Sequence, residues 1–385
     1  MSSITGSSKD TWQPVMTANT TVASYWLNWR FFLCALWVLI LMTIASILIW
    51  RNEHRCEVER DRGEHRQEAE ASFYDDETWR PCVRGIHPAW LLVFRLFAFF
   101  SLSVLLIIAV FVDGGSVFYF YTQWTFASVT IYFGLGSLLS IRGCYQYHKR
   151  AGDKRVDNVE ADAEQGTCVT PSVGQSVNTS MAMKSSNSHE RFDVRQPAGK
   201  WAFIFQILFQ MNAGAVMLTD CVFWFILVPF LAIKDYHLSS LVIGMHSLNA
   251  VFLLGDTALN CLRFPWFRMA YFFTWTIVYV LFQWIVHATF RLWWPYPFLD
   301  LSSPYAPLWY FSVAVMHIPC YCVFAFILKL KHIMFSRWFP ESYQCLRIEM
   351  NRGPEVASET VDTLALTNHS VGKFWKIKKK VEQDS

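Results

Sequence analysis

Long runs of apolar residues, separated by short polar stretches, dominate the chain. Seven of these runs are close to the ~20 residues at which an α-helix crosses the hydrocarbon of a bilayer. They arrive as continuous blocks rather than as one-sided stripes, which is typical of membrane helices. The predicted fold is therefore an all-α, polytopic membrane bundle of seven transmembrane helices. The predicted spans are 31–50, 90–112, 119–140, 201–231, 239–262, 270–290 and 309–330.

The polar stretches between the spans mark the remaining parts of the chain. Residues 1–25 are rich in Ser and Thr, and most of 141–200 is rich in Ser, Asn, Asp and Gln. Such compositions bury too little apolar surface to offset the entropy of folding, so both stretches are predicted to be disordered. Residues 51–88 form a charged loop. The predicted division is 1–25, 26–140 with the first three spans, 141–200, 201–331 with the last four spans, and 332–385 as a basic tail.

The distribution of positive charge orients the predicted bundle. Outside the membrane interior, 28 lysines and arginines fall on the side that holds the C-terminus, and four fall on the side that holds the N-terminus. The positive-inside rule therefore places the C-terminus, the loop 51–88 and the linker 141–200 in the cytoplasm. The N-terminus is expected in a lumen or outside the cell. The net charge is only +3, and no basic stripe indicates nucleic-acid binding.

Composition and cysteine usage agree with this arrangement. The chain is 54% hydrophobic and 16% charged, whereas ordinary soluble domains are about 25% charged. Of ten cysteines, six fall on the predicted cytoplasmic side and four within spans, so no disulfide framework is expected in that reducing compartment. The basic and aromatic segment 373–380 suits anionic lipid headgroups, with a merely solvated tail as the alternative.

Five polar side chains from five different spans are predicted to share the leaflet on the N-terminal side. Their depth follows from the helical rise of ~1.5 Å per residue, counted from the end of each span. Ionisable groups at membrane depth are costly, so several at one depth indicate a site built between helices. Taken singly, each has a simpler explanation, because helical Thr commonly bonds its own backbone and buried His bridges helices. The residues are Thr122, Asp220, His246, His287 and His317.

Several short motifs resemble a known family in their order and spacing. They are Tyr119-Phe120-Tyr121-Thr122 running to Ile131-Tyr132-Phe133-Gly134, then Gly244-Met245-His246, then Trp284-Ile285-Val286-His287 with Tyr296-Pro297-Phe298-Leu299. Across about residues 88–330 the chain resembles the androgen-induced gene and androgen-dependent TFPI-regulating protein family, multi-pass membrane proteins related to rolling stone. It departs from that family in an additional first span, the long linker 141–200 and a longer approach to Pro297.

The resemblance implies a membrane-embedded hydrolase of fatty acid esters of hydroxy fatty acids, with membrane lipids as its partners. By motif, the family's threonine and histidine fall on Thr122 and His246. A threonine hydroxyl is a weak nucleophile until a base takes its proton, and a neutral histidine is suited to that role. Asp220 or His317 are the candidates for orienting the base, and His287 is a further accessory residue. Such a pair needs no metal or other cofactor, and none is expected.

Two other functions remain open. The first is a zinc-dependent lipid hydrolase, since catalytic zinc sites use three protein ligands and Asp220 and the three histidines lie in one leaflet. No compact ligand motif such as His-Glu-x-x-His supports this reading. The second is a non-catalytic membrane scaffold or fusion-related protein, in which the polar residues would be too dispersed to share one cavity.

A separate pair of charges is predicted to hold two spans together. Arg95 lies five residues after the start of the second span at Trp90, and Asp256 lies six residues before the end of the fifth at Leu262. Both positions are therefore roughly 8–9 Å from the same interface. Because each charge alone is costly in hydrocarbon, we expect Arg95 and Asp256 to form a structural ion pair between these spans.

Overall fold

Long helices joined by short connections make up the structure. The structure, a computed structural model, describes residues 18–61, 74–165, 198–229 and 240–345. Seven helices in this part of the chain are long and apolar enough to cross a membrane, which confirms the predicted all-α, multi-pass bundle. They are α1 Trp29–Asp61, α2 Pro88–Asp113, α3 Tyr121–Gln165, α4 Lys200–Val222, α5 Ser240–Leu259, α6 Met269–Thr289 and α7 Ala306–Trp338.

Local signals in the sequence set both ends of α2. His87 precedes the helix, and its ring nitrogen Nδ1 accepts a hydrogen bond from the backbone N–H of Ala89 at 3.2 Å. Pro88 occupies the first helical position, where its missing N–H costs nothing. Gly114 ends the helix with a φ of 70°, a conformation that glycine adopts without strain. A short 3-10 turn then leads directly into α3, so the two helices are antiparallel neighbours.

The helix α4 lies at the centre of the bundle. It packs against α3, α5, α6 and α7, and 72% of its most apolar window is buried. In contrast, α1 packs mainly along α6 and α7, and just 17% of its window is buried. Its mean hydropathy is also the highest of the seven, 2.8 against 1.5 for α4. The first helix is therefore a lipid-exposed outer helix, whereas α4 depends on contacts with other helices.

Close packing around α4 relies on aromatic rings and on one small residue. Phe205 of α4 stacks on Tyr132 of α3 with ring centres 4.6 Å apart and planes within 2°. Gly214 lies against Phe272 of α6, and a Cβ atom at that position would come within 2.3 Å of the ring. Since membrane helices gain most of their association energy from such close contact, Gly214 allows α4 and α6 to approach.

The connections between helices form two faces of the bundle, named here by the chain end that each contains. The N-face comprises residues 18–28, 114–120 and 290–305, and the C-face comprises residues 74–87, 260–268 and 339–345.

Part of the predicted charged loop 51–88 is an ordered segment on the C-face. The backbone N–H of Cys82 donates to the carbonyl of Leu259 at 2.8 Å, and the N–H of Gln344 donates to the carbonyl of Cys82 at 2.9 Å. The N–H of Arg84 donates to the carbonyl of Ser342 at 2.8 Å. These extended contacts join the end of α5 to the chain beyond α7.

The expectation of no disulfide is wrong, because Cys261 and Cys345 are bonded to each other across a sequence separation of 84 residues. Cys82 is buried in the same small apolar cluster on the C-face. The extended segment at Cys82 lies between the chain after α5 and the chain after α7, and it brings the two bonded cysteines together. The spacing of the cysteines in the sequence does not predict this disulfide.

The prediction that residues 1–25 are disordered is wrong for residues 18–25, the part of this stretch that the structure describes. Residues 1–17 lie outside the described residues, but the chain from 18 onward is packed. Tyr25 is only 8% exposed, and its hydroxyl donates to Asp300 at 2.8 Å. The indole N–H of Trp26 donates to the carbonyl of Thr20 at 2.7 Å. Two aromatic side chains therefore fold this segment onto the N-face.

The predicted linker 141–200 begins later than expected. The helix α3 continues without a break to Gln165, and residues 166–197 lie outside the described residues. The reason is that residues 141–165 contain no proline and a helix satisfies its own backbone hydrogen bonds in water as well as in lipid. Trp79 covers this helix at Gly143, where a Cβ atom would lie 2.1 Å from the indole. Of the tail 332–385, only residues up to 345 are described, so the basic segment lies outside.

The ion pair expected between Arg95 and Asp256 is present, and both side chains are fully buried. Nε of Arg95 donates to Oδ1 of Asp256 at 2.7 Å, and Nη2 donates to Oδ2 at 3.3 Å. Asp256 also accepts from the Tyr132 hydroxyl and from the Asn260 amide. Arg95 donates further to the carbonyl of Thr78 at 2.6 Å. The pair therefore joins α2, α3, α5 and the C-face segment, away from the residues predicted for chemistry.

Candidate functional site

His246 and Asp220 face each other from α5 and α4. Nδ1 of His246 lies 3.5 Å from Oδ1 of Asp220, and the side chains are 11% and 14% exposed. At this distance the two groups attract each other, yet Oδ1 accepts no well-aligned hydrogen bond. Asp220 also lies within hydrogen-bonding reach of Asn249, one helical turn beyond His246. This is the arrangement expected of a basic imidazole and a carboxylate that orients it.

An irregular turn places an aromatic ring against the imidazole of His246. Directly after α4, residues Phe223–Leu227 form a π-helical turn, a rare conformation that occurs often at functional sites. Phe223, at its start, stacks on the imidazole with ring centres 3.7 Å apart and planes within 2°. The imidazole therefore meets the carboxylate of Asp220 at its edge and the ring of Phe223 on its face. Neither the turn nor the stacking partner is visible in the sequence pattern.

Thr122 lies at the start of α3 and contacts the aromatic loop of the N-face. The hydroxyl of Tyr296 lies within reach of the side chain and backbone of Thr122 and of the backbone of Tyr121. Burial raises the pKa of Tyr296 to about 12, and these contacts partly oppose the rise. The phenol thus stays protonated at any physiological pH. It also lies at the positive end of α3, where free backbone N–H groups attract an oxygen.

Thr122 and His246 come close only through their neighbours in the sequence. The amide nitrogen of Gln123 lies 3.7 Å from the sulfur of Met245, which brings α3 and α5 together beside the two predicted catalytic residues. Within the described residues, no hydrogen bond joins Thr122 to His246. Direct proton transfer between these two residues therefore stays a prediction.

Two side-chain donors that follow Thr122 in the sequence could stabilise an oxyanion, and their environments differ. The indole N–H of Trp124 already donates to the carbonyl of Phe118 at 2.8 Å. The amide of Gln123 makes only the weak contact to sulfur, and its carbonyl oxygen is buried without a hydrogen-bond partner. Gln123 is therefore the better placed of the two to turn toward a substrate oxygen.

The other two predicted histidines, His287 and His317, contact groups near them and not His246. Nδ1 and Nε2 of His287 lie 2.8 and 3.3 Å from the carbonyls of Gln283 and Trp293, and its ring stacks on Trp294 at 3.8 Å. His317 contacts the carbonyl of Val313 and the hydroxyl of Thr276 instead of His246. Of the two candidates for orienting His246, the structure therefore places Asp220 beside it and His317 elsewhere. No group of three or more metal-ligating side chains occurs within the described ranges.

A small cavity lies beside His317, bounded by α1, α6, α7 and the loop between α6 and α7. Its volume is about 50 Å³, and its walls are apolar apart from His317, Thr276 and Tyr310. Sequence reasoning did not single out Thr276 or Tyr296. Tyr296 lies in a motif of the resemblance, which was a usable signal, whereas Thr276 is one of two threonines in an aromatic stretch of α6 and has no distinguishing spacing.

Comparison with protein-family models, with curated proteins and with solved structures found no match for this chain. Its function is therefore inferred from the residues and geometry described above.

Proposed function

We propose that this integral membrane protein is a lipid ester hydrolase in which Thr122 is the nucleophile and His246 is the general base. The observation that carries the proposal is the position of Asp220 beside His246, because a base with an orienting carboxylate is the costly part of such a site to build within a membrane. The substrate class follows from the depth of the site, where an ester can enter while its acyl chains stay in the bilayer. Fatty acid esters of hydroxy fatty acids, the substrates that the family resemblance implies, fit this description.

The chemistry assigns a step to each side chain. His246 takes the proton of Thr122 as the hydroxyl oxygen adds to the ester carbonyl carbon, and then gives that proton to the departing alcohol. Asp220 stabilises the imidazolium that forms between these two steps. Water repeats the sequence and releases the fatty acid. The Thr122 and His246 side chains must approach each other when substrate binds, as catalytic hydrogen bonds often do.

Tyr296 holds Thr122 in place before the reaction. Its phenol contacts the threonine hydroxyl and the backbone at the start of α3. During the reaction the same phenol and the adjacent backbone N–H groups are near the place where negative charge develops. Tyr296 therefore has a positioning role and lies within reach of an oxyanion role.

The test is hydrolysis of a panel of lipid esters by the purified full-length protein. We expect Thr122→Ala and His246→Ala each to lower kcat/KM by about 100-fold or more, since general base catalysis contributes that much. Thr43→Ala is the matched control, because Thr43 is exposed on α1 and bonds only its own helix. Full activity in both Thr122→Ala and His246→Ala would refute the mechanism.

A chelator separates this mechanism from the zinc alternative. A threonine–histidine pair needs no ion, so activity is expected to be unchanged by EDTA or phenanthroline. Activity that is lost with chelator and restored by zinc would instead favour the metal hydrolase.

We also propose that the C-face is cytoplasmic, on the strength of the 28 positive residues on that side against four on the other. The basic segment 373–380 would then face anionic headgroups of the same leaflet. Liposome binding of the full chain and of a variant with the four lysines of 376–380 changed to glutamine tests the second point. Equal binding of both to anionic liposomes contradicts it.

A further inference from the structure

His317 forms a second threonine–histidine pair that lies apart from the proposed catalytic residues. Nδ1 of His317 is 2.7 Å from the carbonyl oxygen of Val313, and a carbonyl only accepts, so Nδ1 carries a hydrogen. The ring is 1% exposed, packs against both Phe272 and Phe273, and contacts no carboxylate within the described residues. Because an unpaired charge would be costly there, the imidazole is neutral and Nε2 is an acceptor.

The proton that Nε2 accepts comes from Thr276. Nε2 lies 2.8 Å from Oγ1 of Thr276, so the threonine hydroxyl donates to the histidine. The hydroxyl of Tyr121 lies 2.9 Å from the same Oγ1. The carbonyl of Phe272 lies 3.4 Å from Oγ1, so the shorter contact to His317 takes the single proton of Thr276. Tyr121 must then be the donor in its own contact with Thr276. The result is a directed chain from Tyr121 through Thr276 to His317, in which a hydroxyl nucleophile already faces a neutral base.

The same pair, together with Tyr310, forms the polar part of the wall of the cavity between α1, α6 and α7. A buried water needs ~10–15 Å³ of such space, so a cavity of about 50 Å³ holds roughly four groups of that size. Val38 and Leu41 of α1 close one side, and Ala314 of α7 lies beside the pair. The cavity is partly open between the helices. It therefore has room for an ester group and about one methylene, with the remaining chain in the bilayer.

We propose that Thr276 and His317 are a second acyl-accepting site, which reacts with a lipid ester that enters between α1, α6 and α7. Oγ1 of Thr276 bonds to the carbonyl carbon while Nε2 of His317 takes the proton. The Tyr121 hydroxyl turns from Thr276 to the carbonyl oxygen as negative charge develops on it. The ester C–O bond then breaks, His317 protonates the alcohol, and water later releases the fatty acid by the same steps. This site shares only its substrate class with the proposed function.

A long-chain alkyl fluorophosphonate tests the site, because it records the labelled residue by mass. The hydroxyl oxygen forms a bond to phosphorus, fluoride leaves, and His317 takes the proton. The full-length protein in detergent micelles is incubated with the probe, and peptides are sequenced by tandem mass spectrometry. We expect a phosphonyl group on Thr276. Peptides that contain Thr122 are measured in the same digest, so the outcome for the proposed function is recorded separately.

Four variants separate chemistry from folding. Labelling at 276 should vanish in Thr276→Val, stay within about twofold in Thr276→Ser, and fall by about 100-fold in His317→Gln, the size of a lost general base. Thr274→Val is the matched control, because Thr274 is on the same helix and bonds only the carbonyl of Ala270. Ala314→Leu fills the cavity while it leaves both side chains of the pair unsubstituted, and it should also lower labelling. Each variant is compared only if it elutes as one symmetrical peak.

The inference is overturned if residue 276 of the folded wild-type protein carries no phosphonyl group, whether or not Thr122 is labelled. It is also overturned if His317→Gln or Ala314→Leu is folded and labelled as strongly as the wild type. Label on Thr276 that depends on His317 supports it. Label on Thr122 alone supports the proposed function and rejects this one.

Discussion

Removing one member of the Arg95–Asp256 pair is expected to unfold the protein, whereas removing both is expected to be much better tolerated. Asp256→Leu leaves the Arg95 guanidinium charged and fully buried, which costs about 3–5 kcal/mol. It also removes the acceptor of the Tyr132 hydroxyl and the Asn260 amide, at about 1–3 kcal/mol each. A total of roughly 5–11 kcal/mol is comparable with the whole stability of many domains.

The double variant Arg95→Met with Asp256→Leu contains no unpaired charge. The neutral hydrogen bonds are still lost, but the cost of the isolated charge is not incurred. The two changes together should therefore be less destabilising than their sum by about 3 kcal/mol or more. Exchange of the residues, Arg95→Asp with Asp256→Arg, should rescue folding only in part, because Thr78 and Ser140 are arranged to accept hydrogen bonds from an arginine at position 95.

The assay is thermal or SDS-induced unfolding of the purified variants, followed by fluorescence or by size-exclusion chromatography. Arg142→Met is the control, because Arg142 is 57% exposed and lies 3.9 Å from its carboxylate partner, so its loss should cost less than about 1 kcal/mol. If the single and double variants are additive within about 0.5 kcal/mol, the two charges do not stabilise each other. The reasoning about buried charge would then be wrong.

Three further predictions concern the two faces. If the C-face is cytoplasmic, Cys261 and Cys345 should be thiols in intact cells and should form their disulfide on oxidation. Rapid alkylation under non-reducing conditions measures this. A disulfide in untreated cells would place the C-face on the opposite side of the membrane. Burial raises the pKa of the Cys82 thiol, so labelling by a permeant maleimide should be negligible at pH 7. Labelling should increase only above pH ~8.5, the ordinary pKa of a cysteine, and complete labelling at pH 7 would contradict this. Tyr25→Phe removes three hydrogen bonds and takes the acceptor away from the indole N–H of Trp294 and the backbone N–H of Leu301, so it should cost about 2 kcal/mol or more. Tyr305→Phe, at an exposed position, should be neutral, and comparison of the two melting curves decides this.

The depth of a residue along its helix could be predicted from the sequence, but the side of the helix on which the residue lies could not. Arg95 and Asp256 were paired because each lies a known number of residues from one interface, and depth is a linear function of residue number. His246 and Asp220 were likewise placed at similar depth. The contact of Thr122 with Tyr296, and of His317 with Thr276, depends on how each helix is rotated. A helix that is apolar on all sides gives no sign of that rotation.

The C-face was missed for a different reason. The contacts at Cys82 involve a few extended residues inside a charged stretch, too short to show a period of two. Their partners, Leu259 and Ser342, are far away in the sequence. The disulfide between Cys261 and Cys345 depends on the same assembly, so it could not be predicted before the segment itself was placed.

The outer position of α1 has a consequence for biogenesis. The helices it packs against are made last, and α6 begins at Met269, more than 200 residues after α1 ends at Asp61. At roughly 5–20 residues per second, the ribosome needs about 10–40 s to produce its first partner. During that time α1 has only lipid around it, which its high mean hydropathy of 2.8 allows. The first helix therefore docks late in assembly, and it adds its wall of the cavity at Thr276 only after the other helices are in place.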